Sequence, residues 1–192
     1  NKNSCVKILV GNSAAPSNEH ISAFEQLSFL ADEDIQIIVP LNYAGEKDYI
    51  NKIIAKGREI FSGKFTPITK MLDKKEYDNL LADIDMTVFS HHRQQGLYVV
   101  YAMLLMGKPV YLRKETSSFK NFKSLGFAVN EFDALVNSNT TEILEQVKVP
   151  NVKNQHLMKS NFTEQALAPQ WSIMLNNYFK QKVLKDNGIN DK

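Results

Sequence analysis

The chain has 192 residues, 43% of them hydrophobic, with 23 Lys and Arg against 21 Asp and Glu and a single cysteine. That length suffices for one ordinary domain with a buried core, and a net charge of +2 excludes a nucleic-acid binder that works by bulk electrostatics. The lone Cys5 excludes an internal disulfide framework and a cysteine-rich zinc site, and no apolar run approaches the roughly 20 residues that span a bilayer.

Short apolar runs alternate with helix-period stretches. Val6 to Val10 reads as a buried strand, ended by Gly11-Asn12-Ser13. Ser17 is a suitable N-cap for a helix with Ile21, Phe24, Leu27 and Leu30 on one face and Glu19 in its first turn. Ile35 to Val39 is a second strand, stopped by Pro40. Tyr49, Ile50, Ile53, Ile54, Gly57, Ile60 and Phe61 form the stripe of a second helix. Phe65 to Ile68 is a third strand, and Tyr77, Leu80, Leu81 and Ile84 mark a third helix. Met86 to Phe89 is a fourth strand. The polar loop from His91 to Gly96 then opens a helix that runs through Met106, and Lys108 to Leu112 is a fifth strand. Beyond it, Ser117 to Leu125 reads as a helix and Phe127 to Val129 as a short edge strand. Thr140 to Val147 is helical, and Asn161 to about Lys185 is a longer helix, interrupted or restarted at Pro169.

Strands spaced by helices of this length build β/α units with right-handed crossovers. The expected fold class is α/β, a Rossmann-like doubly wound parallel sheet covered on both faces. The expected organisation is one domain over 5–150, a helical extension over 151–185 that packs on it, and frayed ends at 1–4 and 186–192. In such sheets ligands sit beyond the C-terminal ends of the strands. The loops after the first, second, fourth and fifth strands therefore hold the candidate residues.

The first loop, Gly11-Asn12-Ser13-Ala14-Ala15-Pro16-Ser17, is small and polar and leads into a helix. Its residues let backbone N–H groups approach an anion. It is neither a dinucleotide fingerprint nor a P-loop, and taken alone it reads more as an ordinary turn with an N-cap than as a phosphate site. The loop after the fourth strand is more distinctive. Arg93 can grip a phosphate with two N–H groups. The amides of Gln95 and Gly96 would add helix N-terminal donors, and Gln94 offers both donors and acceptors to a sugar. Tyr43 and Glu115 are further candidates, for ring stacking and for sugar hydroxyls.

Other chemistry finds little support. His91 and His92 are adjacent, so on a strand they point to opposite faces. No acidic residue stands between Asp85 and Glu115, so a metal site is not expected. His20 and His156 are isolated and read as packing or surface residues. Cys5 adjoins a buried strand and is no nucleophile, and no nucleophile elbow is present. What remains is a phosphate-and-sugar surface without a self-contained catalytic centre.

The runs Ile8 to Ser13, Ser17-Asn18-Glu19-His20-Ile21, Val39-Pro40 with Tyr43, and Arg93-Gln94-Gln95-Gly96 resemble the TDP-N-acetylfucosamine:lipid II N-acetylfucosaminyltransferases, the 4-alpha-L-fucosyltransferase family. Arg113-Lys114-Glu115 matches a family segment only at Glu115. Pro169-Gln170-Trp171 is similar to the family's terminal helix, and the likeness covers about residues 5–180. Departures are Tyr98, where relatives often carry glycine, and the polar His91-His92.

The resemblance implies a GT-B architecture of two Rossmann-like domains, of which this chain would be the C-terminal, donor-binding half. A start at Asn1 with no methionine fits that expectation. The implied reaction moves 4-acetamido-4,6-dideoxygalactose from a dTDP-sugar donor to a lipid-linked saccharide acceptor, in enterobacterial common antigen-type synthesis. It would occur at the cytoplasmic face of the inner membrane and use no metal or other cofactor. The implied donor site comprises Gly11, Asn12, Ser13, Tyr43, Arg93, Gln94, Gln95, Gly96 and Glu115. Retaining GT-B enzymes often carry paired glutamates where this chain has Gln94 and Ala102, so inversion is expected, with its general base on the missing N-terminal domain. Two alternatives stay open: a GT-B domain for another nucleotide sugar, and a non-enzymatic nucleotide-binding module.

Overall fold

A computed structural model describes residues 5–186. The ends expected to fray lie outside these residues, apart from Asp186, which closes the last helix. The strands are β1 (Val6–Val10), β2 (Ile35–Pro40), β3 (Phe65–Ile68), β4 (Met86–Phe89), β5 (Val110–Leu112) and β6 (Asn130–Glu131). The helices are α1 (His20–Leu27), α2 (Lys47–Phe61), α3 (Lys74–Asp83), α4 (Leu97–Met106), α5 (Ser117–Ser124), α6 (Thr140–Gln146), α7 (Val152–Phe162) and α8 (Glu164–Asp186).

The strands form one sheet in the order β3-β2-β1-β4-β5-β6, and every pairing is parallel. Ile8 lies between Ile37 and Met86. The chain builds outward from β1 to β3, crosses back to β4 beside β1, then builds outward the other way. That reversal opens a crevice at the C-terminal ends of β1 and β4. The strands are nearly all apolar because both faces are covered. Ile8, Val10, Ile37 and Val39 face a core closed by Phe24 and Leu27 of α1, Ile53 and Phe61 of α2, and Ile143 of α6. Leu9, Ile38 and Leu112 face the other core, with Leu81 of α3, Val100 and Met103 of α4, Phe122 of α5 and Met158 of α7. The period-2 alternation of strand side chains thus sorts consecutive residues of β1 into two cores.

Elements one to five follow the sequence closely, and the differences have local causes. Ser17 does not cap α1; it sits in a 3-10 turn, Pro16–Asn18, and Glu19 precedes the helix instead. Pro40 is the last residue of β2 rather than its stop. Leu41 then donates to the Ile68 carbonyl at 2.7 Å, so the ladder passes over the missing proline N–H. The expected edge strand at Phe127–Val129 is not paired. There the Asn154 side chain satisfies both the N–H and the C=O of Ala128, at 2.8 and 2.9 Å, and β6 forms at Asn130–Glu131.

That asparagine belongs to α7, a helix the apolar periodicity did not announce. Asn151 caps it by accepting from the Asn154 N–H at 2.9 Å. Asn154 and Met158 are buried, and Gln155 donates to the Met106 carbonyl at 3.1 Å, which seats α7 beside α4. α8 runs as one helix through Pro169. Ala166 and Leu167 are half-buried, but residues 168–180 are exposed. Among the described residues, no helix is long and apolar enough to cross a membrane.

Candidate ligand site at the loops after β1 and β4

The loop after β1 is braced from inside. Gly11 extends β1 by one more bond, its N–H donating to the Val88 carbonyl at 3.1 Å. It then turns with φ +70°, and a Cβ there would lie 2.8 Å from His20 Nε2. The brace is Asn18, fully buried. Its Oδ1 accepts from the Asn12 N–H at 3.1 Å, and its Nδ2 donates to the Ser13 carbonyl, Ser13 Oγ and the Ala15 carbonyl at 3.0, 3.0 and 3.2 Å. Such Asx bonding supplies loop backbone with the partners that a helix or sheet would give. The Ala14 N–H donates to the Tyr43 carbonyl at 2.7 Å, which ties in the loop after β2 by its backbone. The Asn12 and Ala14 amides therefore point inward, away from any ligand. The Ser13 amide has no acceptor among the described residues. The Tyr43 ring is exposed.

The loop after β4 closes onto the first. Gly96 has φ +67°, and a Cβ there would meet Phe89 at 3.0 Å and Asn12 at 3.3 Å. Only glycine at this position lets the two loops touch. Gly96 is also the N-cap of α4 and supplies no capping side chain, so the first-turn amides of α4 face the crevice uncapped. Asn12 Oδ1 is buried beside it with no partner. Arg93 is exposed, and no carboxylate among the described residues pairs with it. Gln95 exchanges long bonds with Ser17, both 3.4 Å. Gln94 Oε1 accepts from Ser117 Oγ at 3.3 Å, which brings the first turn of α5 beside the loop. Glu115 is exposed at the end of β5, before the Thr116 cap of α5.

The two adjacent histidines do point apart. His91 is buried against Phe89, ring centroids 5.1 Å apart, and neither of its nitrogens has a hydrogen-bond partner. Burial lowers its pKa from 6.5 to about 4. His92 is exposed, with Nε2 at 3.2 Å from Glu19 Oε1. His20 is buried behind Gly11, with Nδ1 3.2 Å from the Tyr49 hydroxyl, and burial likewise lowers it to about 4. Burial raises the pKa of the half-buried Cys5 thiol. No group of three or more metal-ligating side chains occurs among the described residues.

Sequence reasoning passed over two organising residues. Asn18 lies inside a run of small polar residues, and nothing in its neighbours marks it as buried. Arg113 follows β5, and its Nη2 meets Glu19 Oε2 at 2.7 Å while its Nη1 meets Asp133 Oδ1 at 3.2 Å. The only signal was position: a cation at the C-terminal end of a strand. Together these residues shape a crevice with an uncapped helix N-terminus, one exposed guanidinium and flanking amide side chains. That arrangement suits an anion such as a phosphate, with a polar group attached.

Known proteins share this fold. A glycosyltransferase from Rickettsia africae aligns at a TM-score of 0.70 and 15% identity, over 94% of this chain and 49% of its own length. The Anabaena protein HepE, in complex with UDP and glucose, aligns at 0.65 and 14% identity, over 91% of this chain and 49% of its own. The C-terminal domain of a group 1 family glycosyl transferase from Francisella tularensis aligns at 0.62 and 10% identity, over 84% of this chain and 88% of that domain. The chain thus spans about half the length of the two longer proteins and most of the isolated domain. The expected fold, a Rossmann-like sheet of the GT-B type, is the fold observed. The sequence description "4-alpha-L-fucosyltransferase glycosyl transferase group 56" matches residues 1–177, and the chain belongs to that glycosyltransferase family.

Proposed function

We propose that this chain is the donor-binding domain of a glycosyltransferase, holding a dTDP-sugar by its diphosphate at the crevice between β1 and β4. The observation that supports the reading is the close approach of Gly96 to Asn12, which brings the uncapped start of α4, and the loop that carries Arg93, beside the loop after β1. In glycosyl transfer the bond from the anomeric carbon to the diphosphate breaks, and negative charge grows on the phosphate oxygens. Fixed amide dipoles and a guanidinium stabilise that charge without having to reorganise. Arg93 and the amides of Ser13, Gln95, Gly96 and Leu97 supply them. Gln94 and Glu115 take sugar hydroxyls, and Tyr43 flanks the base.

The finer reading follows the family likeness. The donor sugar is 4-acetamido-4,6-dideoxygalactose, and the acceptor is a polyprenyl-diphosphate-linked saccharide at the cytoplasmic face of the inner membrane, in enterobacterial common antigen-type synthesis. A second Rossmann-like domain of the same protein faces the crevice and carries the general base of an inverting transfer. The exposed Trp171, Met174, Leu175, Tyr178 and Phe179 on α8 support such a partner, since a surface this apolar is normally covered. Titrating dTDP into the isotope-labelled chain tests the site. Amide shifts should concentrate at Ser13 and Gln94–Tyr98, and shifts confined to other loops would refute it. Turnover by the two-domain protein with dTDP- and UDP-linked sugars tests the donor.

A further inference from the structure

We infer that Arg113 is a positioning residue for this crevice: it fastens the loop after β4 to the loop after β1 and neutralises a carboxylate that would oppose an anion there. The ligand in this inference rests on the donor-site reading above, but the tether does not.

The Arg113 side chain is only 12% exposed, and its guanidinium reaches three other segments. Nε donates to the Ser90 carbonyl, the last residue before His91. Nη2 donates to Glu19 Oε2 at 2.7 Å and lies 3.5 Å from Ser22 Oγ. Nη1 donates to Asp133 Oδ1 at 3.2 Å, and the guanidinium carbon sits 4.8 Å over the Phe132 ring. Ser90 reinforces the same corner, its Oγ lying 2.5 Å from the Asn18 carbonyl and 3.0 Å from that of Glu19. Residues 91–96 therefore start from a point pinned to residues 18–19. Glu19 itself is held at φ +49°, a conformation that a glutamate keeps only when its surroundings fix it.

The arrangement needs a guanidinium. Arg113 reaches its partners from three separate nitrogens, whereas a lysine gathers its donors on one atom and lacks the Nε that serves the Ser90 carbonyl. The charge matters as well. Glu19 has two cationic or ionisable neighbours, Arg113 and the exposed His92. Without Arg113 the Glu19 carboxylate keeps only His92, of the loop after β4, as an ionisable partner, and a partly buried charge beside that loop is weakly screened. Asp133 would lose its partner too. Arg113 thus differs from Arg93: one is occupied holding protein, the other is open to a ligand.

The test compares Arg113→Lys, Arg113→Ala, Glu19→Gln and the double variant Arg113→Ala/Glu19→Gln of this chain. Amide hydrogen exchange reads the tether, and dTDP titration reads the electrostatics. Exchange over residues 11–20 and 91–97 should quicken about tenfold or more in Arg113→Lys and Arg113→Ala, while β1 and β4 stay protected. Affinity for dTDP should fall about tenfold in Arg113→Ala and largely recover in the double variant, because the bare carboxylate is gone. Glu19→Gln alone should bind dTDP about as well as the parent. A merely structural arginine would instead leave both Arg113→Ala variants equally weak. Unchanged exchange in Arg113→Lys would overturn the tether. A parent chain that binds no dTDP, with exchange still quickened in the variants, would sink the donor reading and uphold the tether. If Arg113→Ala does not fold, exchange in Arg113→Lys still reads the tether, and dTDP affinity of Arg113→Met against Arg113→Met/Glu19→Gln reads the charge.

Discussion

Gly96 joins a backbone demand and a packing demand in one residue. Its φ of +67° strains any other L residue, and its missing Cβ admits Asn12 and Phe89. Gly96→Ala should lower stability by about 1–2 kcal/mol and push the two loops apart. Urea denaturation would show the first effect, and a weaker response to dTDP the second. The buried histidines set a pH dependence. His20 and His91 have pKa values lowered to about 4 when folded, against 6.5 for an ordinary histidine. Between those values the unfolded chain binds more protons than the folded one, so stability falls as pH drops from 6.5 towards 4 and is unaffected by these groups above 6.5. Each histidine contributes at most about 3 kcal/mol to that loss. A His91→Asn variant should show a shallower decline in denaturation midpoint over the same window, and an unchanged slope would contradict the assignment. The sequence left His20 between packing and surface, and it set His91 and His92 apart without saying which is buried; that choice appears only once the surrounding elements are assembled.

Helix starts differ in whether they are closed or left open. α3 begins with a closed reciprocal cap: the Asp73 carboxylate accepts from the Glu76 N–H at 2.8 Å, and the Glu76 carboxylate accepts from the Asp73 N–H at 2.8 Å. α4 begins at a glycine with no side-chain cap. A cap at α4 would occupy the amides that the proposed ligand needs, so the uncapped start suits the proposed site. Asp73→Ala should cost about 1 kcal/mol in thermal or chemical denaturation and leave dTDP binding unchanged. The two central strands, β2 and the four helices around them were readable because apolar period and turn residues agreed there. α7 was not, because polar side chains seat it. Asn151 caps it, Asn154 takes both backbone groups of Ala128, and Gln155 reaches α4, while its apolar contacts, Leu157, Met158 and Phe162, are confined to its second half and make no long stripe. The same asparagine displaced the expected edge strand to Asn130–Glu131. Asn154→Ala should strand the Ala128 N–H and C=O and cost about 2–3 kcal/mol, readable as a lowered denaturation midpoint.

At the scale of the molecule, the reversal of strand order decides where chemistry can happen. The residues quoted from the first and fourth loops, Gly11 to Ser13 and Arg93 to Gly96, meet because β1 and β4 are neighbours. A doubly wound sheet implies a reversal of this kind, but the β/α alternation does not say which strands flank it. Nor was the internal wiring legible. Arg113 reaches Glu19 across 94 residues of sequence, and the Ser90 hydroxyl reaches the Asn18 carbonyl across 72, which no local pattern encodes. The charge balance takes on a local meaning here. A net charge of +2 calls for no broad basic surface, and the proposed anion site would rest on one exposed arginine and one helix start. The most direct test of this account is calorimetric titration of dTDP into the parent chain and into Arg93→Ala. Saturable binding by the parent, weakened about tenfold or more in the variant, is the predicted result; no binding at millimolar nucleotide, or equal binding by both, would contradict it.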